Sequence, residues 1–172
     1  MKNTSILSVL TFIFCLSASS LEAQENNENN TRIYFIRHAE KDRSNPDERN
    51  PHLTQKGFMR AEKWAHFFKD IPITAVYSTN YHRTLETAAP TAKSKNISVQ
   101  TYDPRNLDPA PFMDYHKGEA ILIVGHSNTT PAFVNAFLGI KKYKDLSDSD
   151  NASVFLVRYG PLGKKAEQYH VD

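Results

Sequence analysis

The sequence predicts an α/β fold in which strands and helices alternate along the chain. Short apolar runs at residues 33–36 and 120–124 are rich in β-branched residues and have the length of buried strands. The segments between such runs carry apolar residues at helical spacing. This alternation favours one mostly parallel sheet with helices on both faces, a three-layer α/β/α sandwich.

Each predicted element has its own signal. Strands are expected at residues 33–36, 73–77, 97–102 and 120–124. Thr54 is a good cap for a first helix, whose apolar stripe from Phe58 to Phe68 predicts core contact. A second helix is expected at residues 81–93, and a third begins near Pro131 and stops at Gly139. Residues 103–111 hold three prolines and predict a loop. Two last runs, 154–159 and 166–171, flank a Gly-Pro-Leu-Gly turn and predict a C-terminal antiparallel hairpin.

The first 24 residues predict a signal peptide, with a basic start, an apolar centre at 6–16 and small residues at 17–20. That centre is too short to span a bilayer comfortably. A polar spacer is expected at 25–31, followed by one domain at 32–172. We therefore expect a periplasmic or secreted protein without membrane contact once the signal is removed.

Composition excludes two function classes. Cys15 is the only cysteine and lies in the predicted signal, so the mature chain has no thiol for a thiolate-dependent enzyme. The formal charge is +2, from 21 basic and 19 acidic residues, without a basic block. Nucleic acid is therefore not an expected partner.

Three predicted strand ends carry chemistry. The first strand ends in Arg37-His38, the second leads into Arg83, and the fourth ends at His126. Ligands bind at the carboxyl ends of parallel strands. If the three strands are neighbours, two imidazoles and two guanidiniums meet at one edge. Guanidinium forks suit phosphoryl oxygens, and an imidazole can accept a phosphoryl group as a nucleophile. Such a site needs no metal.

Four motifs resemble those of the histidine phosphatase superfamily, which includes the cofactor-dependent phosphoglycerate mutases. Arg37-His38-Ala39-Glu40 resembles its Arg-His-Gly-Glu signature, with alanine in place of glycine. The others are residues 53–61, 77–88 and 125–129, in the family order. The resemblance implies a phosphoglycerate mutase-like fold. Larger members insert a helical cap between the second arginine and the second histidine, and the short segment here implies a cap-less branch.

The resemblance also implies roles. His38 would be the phosphorylated nucleophile, and Arg37, Arg83 and His126 would line the phosphate pocket. Ser78 and Asn128 would add hydrogen bonds. His38 must be neutral to attack and His126 is more useful charged, so we expect their pKa values to be pushed apart. The acid that protonates the leaving oxygen is either Asp108 or Glu40.

The resulting hypothesis is metal-independent hydrolysis of phosphomonoesters, without a cofactor, on a phosphorylated small molecule or a phosphoprotein. An open site favours a phosphatase over a mutase, because a mutase must shield its intermediate from water. The alternative is a non-catalytic phosphate-binding module of the same fold. A zinc hydrolase on His38, Glu40 and His126 is disfavoured, since His-x-Glu lacks the usual helix spacing and two arginines repel a dication. The remaining histidines, His52, His66, His82, His116 and His170, show no pairing pattern.

Overall fold

A computed structural model describes residues 30–171, and within them one mixed sheet has the strand order β3-β2-β4-β1-β5-β6. The strands are β1 Thr31–Arg37, β2 Ile73–Ser78, β3 Val99–Thr101, β4 Ala120–Gly125, β5 Ser153–Gly160 and β6 Gly163–His170. The helices are α1 Gln55–Phe67, α2 His82–Ser94, α3 Pro109–Tyr115 and α4 Thr129–Leu138. None of these helices is long and apolar enough to cross a bilayer.

The strand register brings the predicted chemistry to one edge of the sheet. β1, β4 and β2 are parallel neighbours, with Arg37 paired to Gly125 and Ser78 paired to Val124. Their carboxyl ends therefore lie side by side, as the sequence predicts. β5 runs antiparallel to β1 and forms the predicted hairpin with β6.

Both faces of the sheet are covered. On one face, Trp64 and Phe68 at α1 and Ala88 on α2 pack against alternate residues of β1, β2 and β4. On the other face, α3 and α4 contribute Met113 and Phe137 to a second apolar cluster. The predicted three-layer α/β/α sandwich, with a mostly parallel sheet and a C-terminal hairpin, is confirmed.

Some boundaries differ from the prediction. Phe58 is 46% exposed, because it lies off the face of α1 that Trp64 buries. Residues 109–115 form α3 instead of a loop, since Pro109 occupies a first-turn position where its missing N–H has no consequence. Thr31, placed in the spacer, is the buried first residue of β1. The predicted signal peptide, 1–24, lies outside the described residues.

The start of α1 is fixed against the chain that leaves β1. The side chain of Thr54 accepts from Gly57 N, and both the backbone N–H and the hydroxyl of Thr54 donate to the carbonyl of Glu40, at 2.9 and 3.1 Å. A Cβ on Gly57 would lie 2.3 Å from that same carbonyl oxygen. Glycine is required here because backbone approaches backbone.

We predict that Gly57→Ala lowers the free energy of unfolding by about 1–3 kcal/mol, as overpacking does elsewhere. At an unhindered helix position the same change would stabilise, by about 0.5–1 kcal/mol, so the sign of the effect is diagnostic. Urea unfolding measures it. Lys63→Ala, at an exposed site on the same helix, is the control. A stabilised Gly57→Ala protein would contradict the packing described.

Candidate active site

The two predicted histidines face each other at the sheet edge. His38 follows β1 directly and His126 follows β4. Their ring centres are 5.6 Å apart, in an edge-to-face arrangement. The ring of Tyr81 lies 5.2 Å from that of His126, and the guanidinium of Arg83 lies 4.5 Å from the centre of the Tyr81 ring. The structure therefore brings His38, His126 and Arg83 into one cluster.

Hydrogen bonds fix the position and the tautomer of His38. Its backbone N–H donates to Gly125 O at 2.9 Å, and its carbonyl accepts from Asn151 Nδ2 at 2.8 Å. Its ring Nδ1 lies 2.7 Å from Ala39 O. A carbonyl oxygen can only accept, so Nδ1 carries the proton. The lone pair of the neutral ring is therefore on Nε2.

Burial and neighbouring cations keep both imidazoles neutral. Burial is the largest cause of the low pKa of His38, about 3, and Arg37, Arg83 and His126 lower it further. Burial also lowers the pKa of His126 to about 4, together with Arg83, Arg37 and Lys41. The expectation that the two pKa values are pushed apart is wrong for the anion-free site, because the same desolvation and the same cations act on both rings.

The two predicted arginines have donors without an acceptor. Within the described residues, Nε and Nη1 of Arg83 and Nε of Arg37 are buried and have no hydrogen-bond partner. Buried unsatisfied donors are unfavourable, and a bound oxyanion would satisfy them. The missing acceptors are the strongest structural sign of an anion site.

The loop before β5 holds Arg37 in place. Nη1 of Arg37 donates to the carbonyls of Ser147, Asp148 and Asp150 at 2.8, 2.9 and 3.1 Å. Nη2 donates to Oδ1 of Asp148 at 2.9 Å, although the Asp148 side chain is 72% exposed. Arg37 is therefore anchored through its terminal nitrogens, and Nε is left for a ligand.

Two threonine hydroxyls tie the elements of the site together. Thr87 Oγ1 accepts from Ala39 N at 2.9 Å and donates to Arg83 O at 2.6 Å, which links the β1 end to the first turn of α2. Thr79 Oγ1 lies 2.9 Å from Nε2 of His126. Among the described residues, Nδ1 of His126 has no hydrogen-bond partner, so this nitrogen is available to a ligand.

Ala39, in the place of the family's glycine, does not crowd the site. Its side chain is fully buried in a small apolar cluster with Leu53 and Ala61. The methyl group therefore packs against the start of α1 and its neighbouring loop. The Ala39 methyl group fills space inside this cluster.

The structure does not bring every predicted residue to the cluster. Ser78 is fully buried and its hydroxyl donates to Thr79 O, so its contact with substrate stays a prediction. Thr79, the first residue after β2, is the one whose hydroxyl reaches His126. The Asn128 side chain is exposed and makes no hydrogen bond to the site residues.

The two candidate acids lie in different places. Asp108 is exposed and caps α3, accepting from Ala110 N at 3.1 Å. Glu40 lines a cavity of about 260 Å³ together with Arg37 and His38. Both oxygens of Glu40 accept from Nε of Arg60, each at 3.0 Å. Of the two, Glu40 is next to the nucleophile, although it is already paired.

Sequence reasoning missed four residues that shape the site: Lys41, Thr79, Tyr81 and Asn151. Lys41 lines the same cavity as His38, and Asn151 positions the His38 backbone. Thr79 and Tyr81 line a second, open cavity of about 600 Å³. Lys41 directly follows the Arg37–Glu40 motif, so its position in the sequence could have identified it as a site residue. Asn151 lies far from the motif in the chain, and nothing in the sequence indicates its contact with His38.

Comparison with known proteins agrees with the motifs. Residues 33–104 match the model of the histidine phosphatase superfamily (branch 1). No curated protein matches the chain by sequence. Many solved structures share the fold.

Three of these structures illustrate the likeness. A putative phosphohistidine phosphatase SixA from Agrobacterium tumefaciens is 18% identical, with a TM-score of 0.59 over 80% of this chain and 97% of that one. A phosphoserine phosphatase from Entamoeba histolytica is 13% identical, with a TM-score of 0.63 over 79% and 94%. A phosphoglycerate mutase from Bacillus anthracis is 16% identical, with a TM-score of 0.64 over 84% and 95%. At these identities the likeness establishes the fold.

Proposed function

We propose that the chain is a member of the histidine phosphatase superfamily and that it hydrolyses phosphomonoesters through a phosphohistidine on Nε2 of His38. The observation that carries this proposal is the hydrogen bond between Nδ1 of His38 and Ala39 O. It leaves the nucleophilic lone pair on Nε2. The low pKa of about 3 keeps that lone pair free of a proton at neutral pH.

The reaction divides into two transfers. Nε2 of His38 forms a bond to phosphorus as the bond from phosphorus to the ester oxygen breaks, and the departing oxygen takes a proton from the acid, for which Glu40 is the candidate next to His38. Water then attacks phosphorus and returns a proton to that carboxylate, the N–P bond breaks, and inorganic phosphate leaves. Splitting one difficult transfer into two easier ones is the advantage of a covalent intermediate.

The unpaired donors of the two arginines supply the electrostatic part of the catalysis. Nε of Arg37 with Nε and Nη1 of Arg83 are buried, so hydrogen bonds from them to phosphoryl oxygens are little weakened by water. A phosphate dianion also offsets the positive charge that lowers the pKa of His126. His126 is then able to accept a proton and stabilise the transferring group.

The same charges support metal independence. Arg37, Arg83 and Lys41 all contribute to the low pKa of one or both histidines, so all three lie within electrostatic range of the rings. A divalent cation at this position would be repelled by them. We therefore propose that the reaction needs neither a metal nor another cofactor.

The rim of the site supports a proposal for the substrate class. Lys41 and Arg43 line the cavity at His38, and burial with nearby Arg43 and Arg83 lowers the pKa of Lys41. Among the described residues, the Lys41 ammonium has no hydrogen-bond partner. We propose a phosphorylated small molecule or a phosphoprotein that bears further negative charge near the phosphoryl group.

A non-catalytic phosphate-binding module remains the second candidate, because one observation favours it. Glu40 is paired with Arg60 and Asp108 is exposed on α3, so neither predicted acid is ready to protonate the leaving oxygen. Such a module would bind phosphate at the arginines without turnover.

We predict that the purified protein hydrolyses p-nitrophenyl phosphate in the presence of excess EDTA, and that His38→Ala lowers kcat by at least about 10³-fold. Acid-quenched labelling should trap phosphate on the wild-type chain in an acid-labile, alkali-stable form, as expected of a phosphoramidate. His66→Ala, an exposed histidine on α1, is the matched control. Tight phosphate binding without turnover would establish the binding module. Label that survives in His38→Ala would place the nucleophile elsewhere.

A second prediction separates the two candidate acids. Glu40→Gln should lower kcat/KM for an alkyl phosphomonoester by about 10²–10⁴-fold, the usual contribution of a general acid. The loss should be much smaller for p-nitrophenyl phosphate, whose leaving group needs little protonation.

Asp108→Asn is the control for the same two substrates, and it should behave like the wild type. If Asp108→Asn lowers kcat/KM for the alkyl phosphomonoester but not for p-nitrophenyl phosphate, Asp108 is the proton donor. Equal losses on both substrates in Glu40→Gln would make Glu40 a positioning residue instead of the proton donor.

A further inference from the structure

A cluster of two histidines and one glutamate lies outside the catalytic cluster. His82 and Glu86 are four residues apart on α2, so they share one face of the helix. His52 precedes α1 and lies against them. The ligand atoms of the three side chains all lie within 4.8 Å of one another. The sequence shows no pairing pattern for His52, because its partners are about thirty residues away in the chain.

We propose that His52, His82 and Glu86 bind a divalent transition-metal ion, with Zn²⁺ as the preferred ion. Two imidazoles and one carboxylate, with a fourth position open to water, are an established ligand set for zinc. Imidazole nitrogen is also favoured by other late transition metals, whereas Mg²⁺ and Ca²⁺ prefer oxygen ligands.

Part of the site is already organised. Glu86 Oε2 accepts from Leu53 N at 2.8 Å, and Oε1 forms a short contact with Nδ1 of His52. Only 21% of the Glu86 side chain is exposed. Asn50 Oδ1 accepts from the backbone N–H of His82 at 2.9 Å. The loop that carries His52 is therefore held to α2 before any ion binds.

Binding requires one side-chain movement. The rings of His52 and His82 are stacked, 4.1 Å apart and 14° from parallel. Ring lone pairs lie in the ring planes, so two parallel rings cannot both point at one ion. The His82 ring is exposed and, among the described residues, no hydrogen bond holds it, so it is free to turn. The ion would take the place of the proton on Nδ1 of His52, and that proton would move to Nε2 of the same ring.

The consequence of binding is a cross-link between two parts of the catalytic site. His52 ends the loop that begins with Lys41, and His82 precedes Arg83 at the start of α2. An ion would fasten that loop to the helix without contacting the phosphoryl group. The proposal does not depend on the proposed reaction, so the two can fail separately.

Titration calorimetry with Zn²⁺ alone tests the site. The wild-type protein should bind one ion per chain. His82→Ala should weaken the binding by at least about 10-fold, since even removal of residues behind metal ligands has effects of that size. His66→Ala, another exposed histidine, should bind as tightly as the wild type. At one Zn²⁺ concentration, the Tm of the wild type and of His66→Ala should rise by the same amount, and that of His82→Ala should rise less.

Because His82 is exposed, its loss should not disturb folding, and Glu86→Gln gives a second test of the same ligand set. Absence of saturable binding in the wild type would overturn the proposal. Binding that is equally tight in His82→Ala and Glu86→Gln would place the ion elsewhere and would also overturn it.

Discussion

The chemistry of this site depends on one hydrogen bond, from Nδ1 of His38 to the carbonyl of the next residue, Ala39. It assigns the ring proton to the nitrogen that faces the backbone. Burial then keeps the ring neutral, with a pKa of about 3. A neutral ring with a free Nε2 is the form of histidine that can attack phosphorus. The backbone hydrogen bonds of His38 to Gly125 and Asn151 hold the residue in this position.

The same arrangement concentrates positive charge around the two imidazole rings. Among residues 30–171, two buried nitrogens of Arg83 and one of Arg37 have no hydrogen-bond partner. The structure offsets part of this charge through the loop before β5, whose carbonyls and Asp148 carboxylate surround the terminal nitrogens of Arg37. The nitrogens left over define the place where phosphate fits. Anything that binds there and not to the unfolded chain stabilises the fold.

The sequence was sufficient for the fold and for the central cluster, since both depend on strand ends. Apolar runs locate β1 and β4, and the alternation of strands with helices predicts a mostly parallel sheet. The structure supplies the neighbour relation, in which Arg37 of β1 pairs with Gly125 of β4. His38 and His126 come next to each other for that reason. Cap signals at Thr54 and Gly139 also identify helix ends correctly.

The rest of the site depends on details that sequence patterns do not carry. Ser78 ends β2 and Thr79 follows it. The Thr79 hydroxyl lies 2.9 Å from Nε2 of His126, whereas the Ser78 hydroxyl donates to Thr79 O. Asp108 was expected inside a loop and instead caps α3. The stack of His52 on His82 joins segments that are distant in the chain, so spacing within one segment could not reveal it.

The most direct test of this account is the protonation of His38, measured by ¹⁵N NMR of the ring nitrogens as pH is lowered. A pKa of about 3 lies below the ordinary value of 6.5, so the ring should stay neutral as pH falls through that value. At pH 5 we expect a proton on Nδ1 and none on Nε2 of the anion-free protein. A ring that becomes charged near pH 6.5, or a neutral ring with its proton on Nε2, would contradict the account.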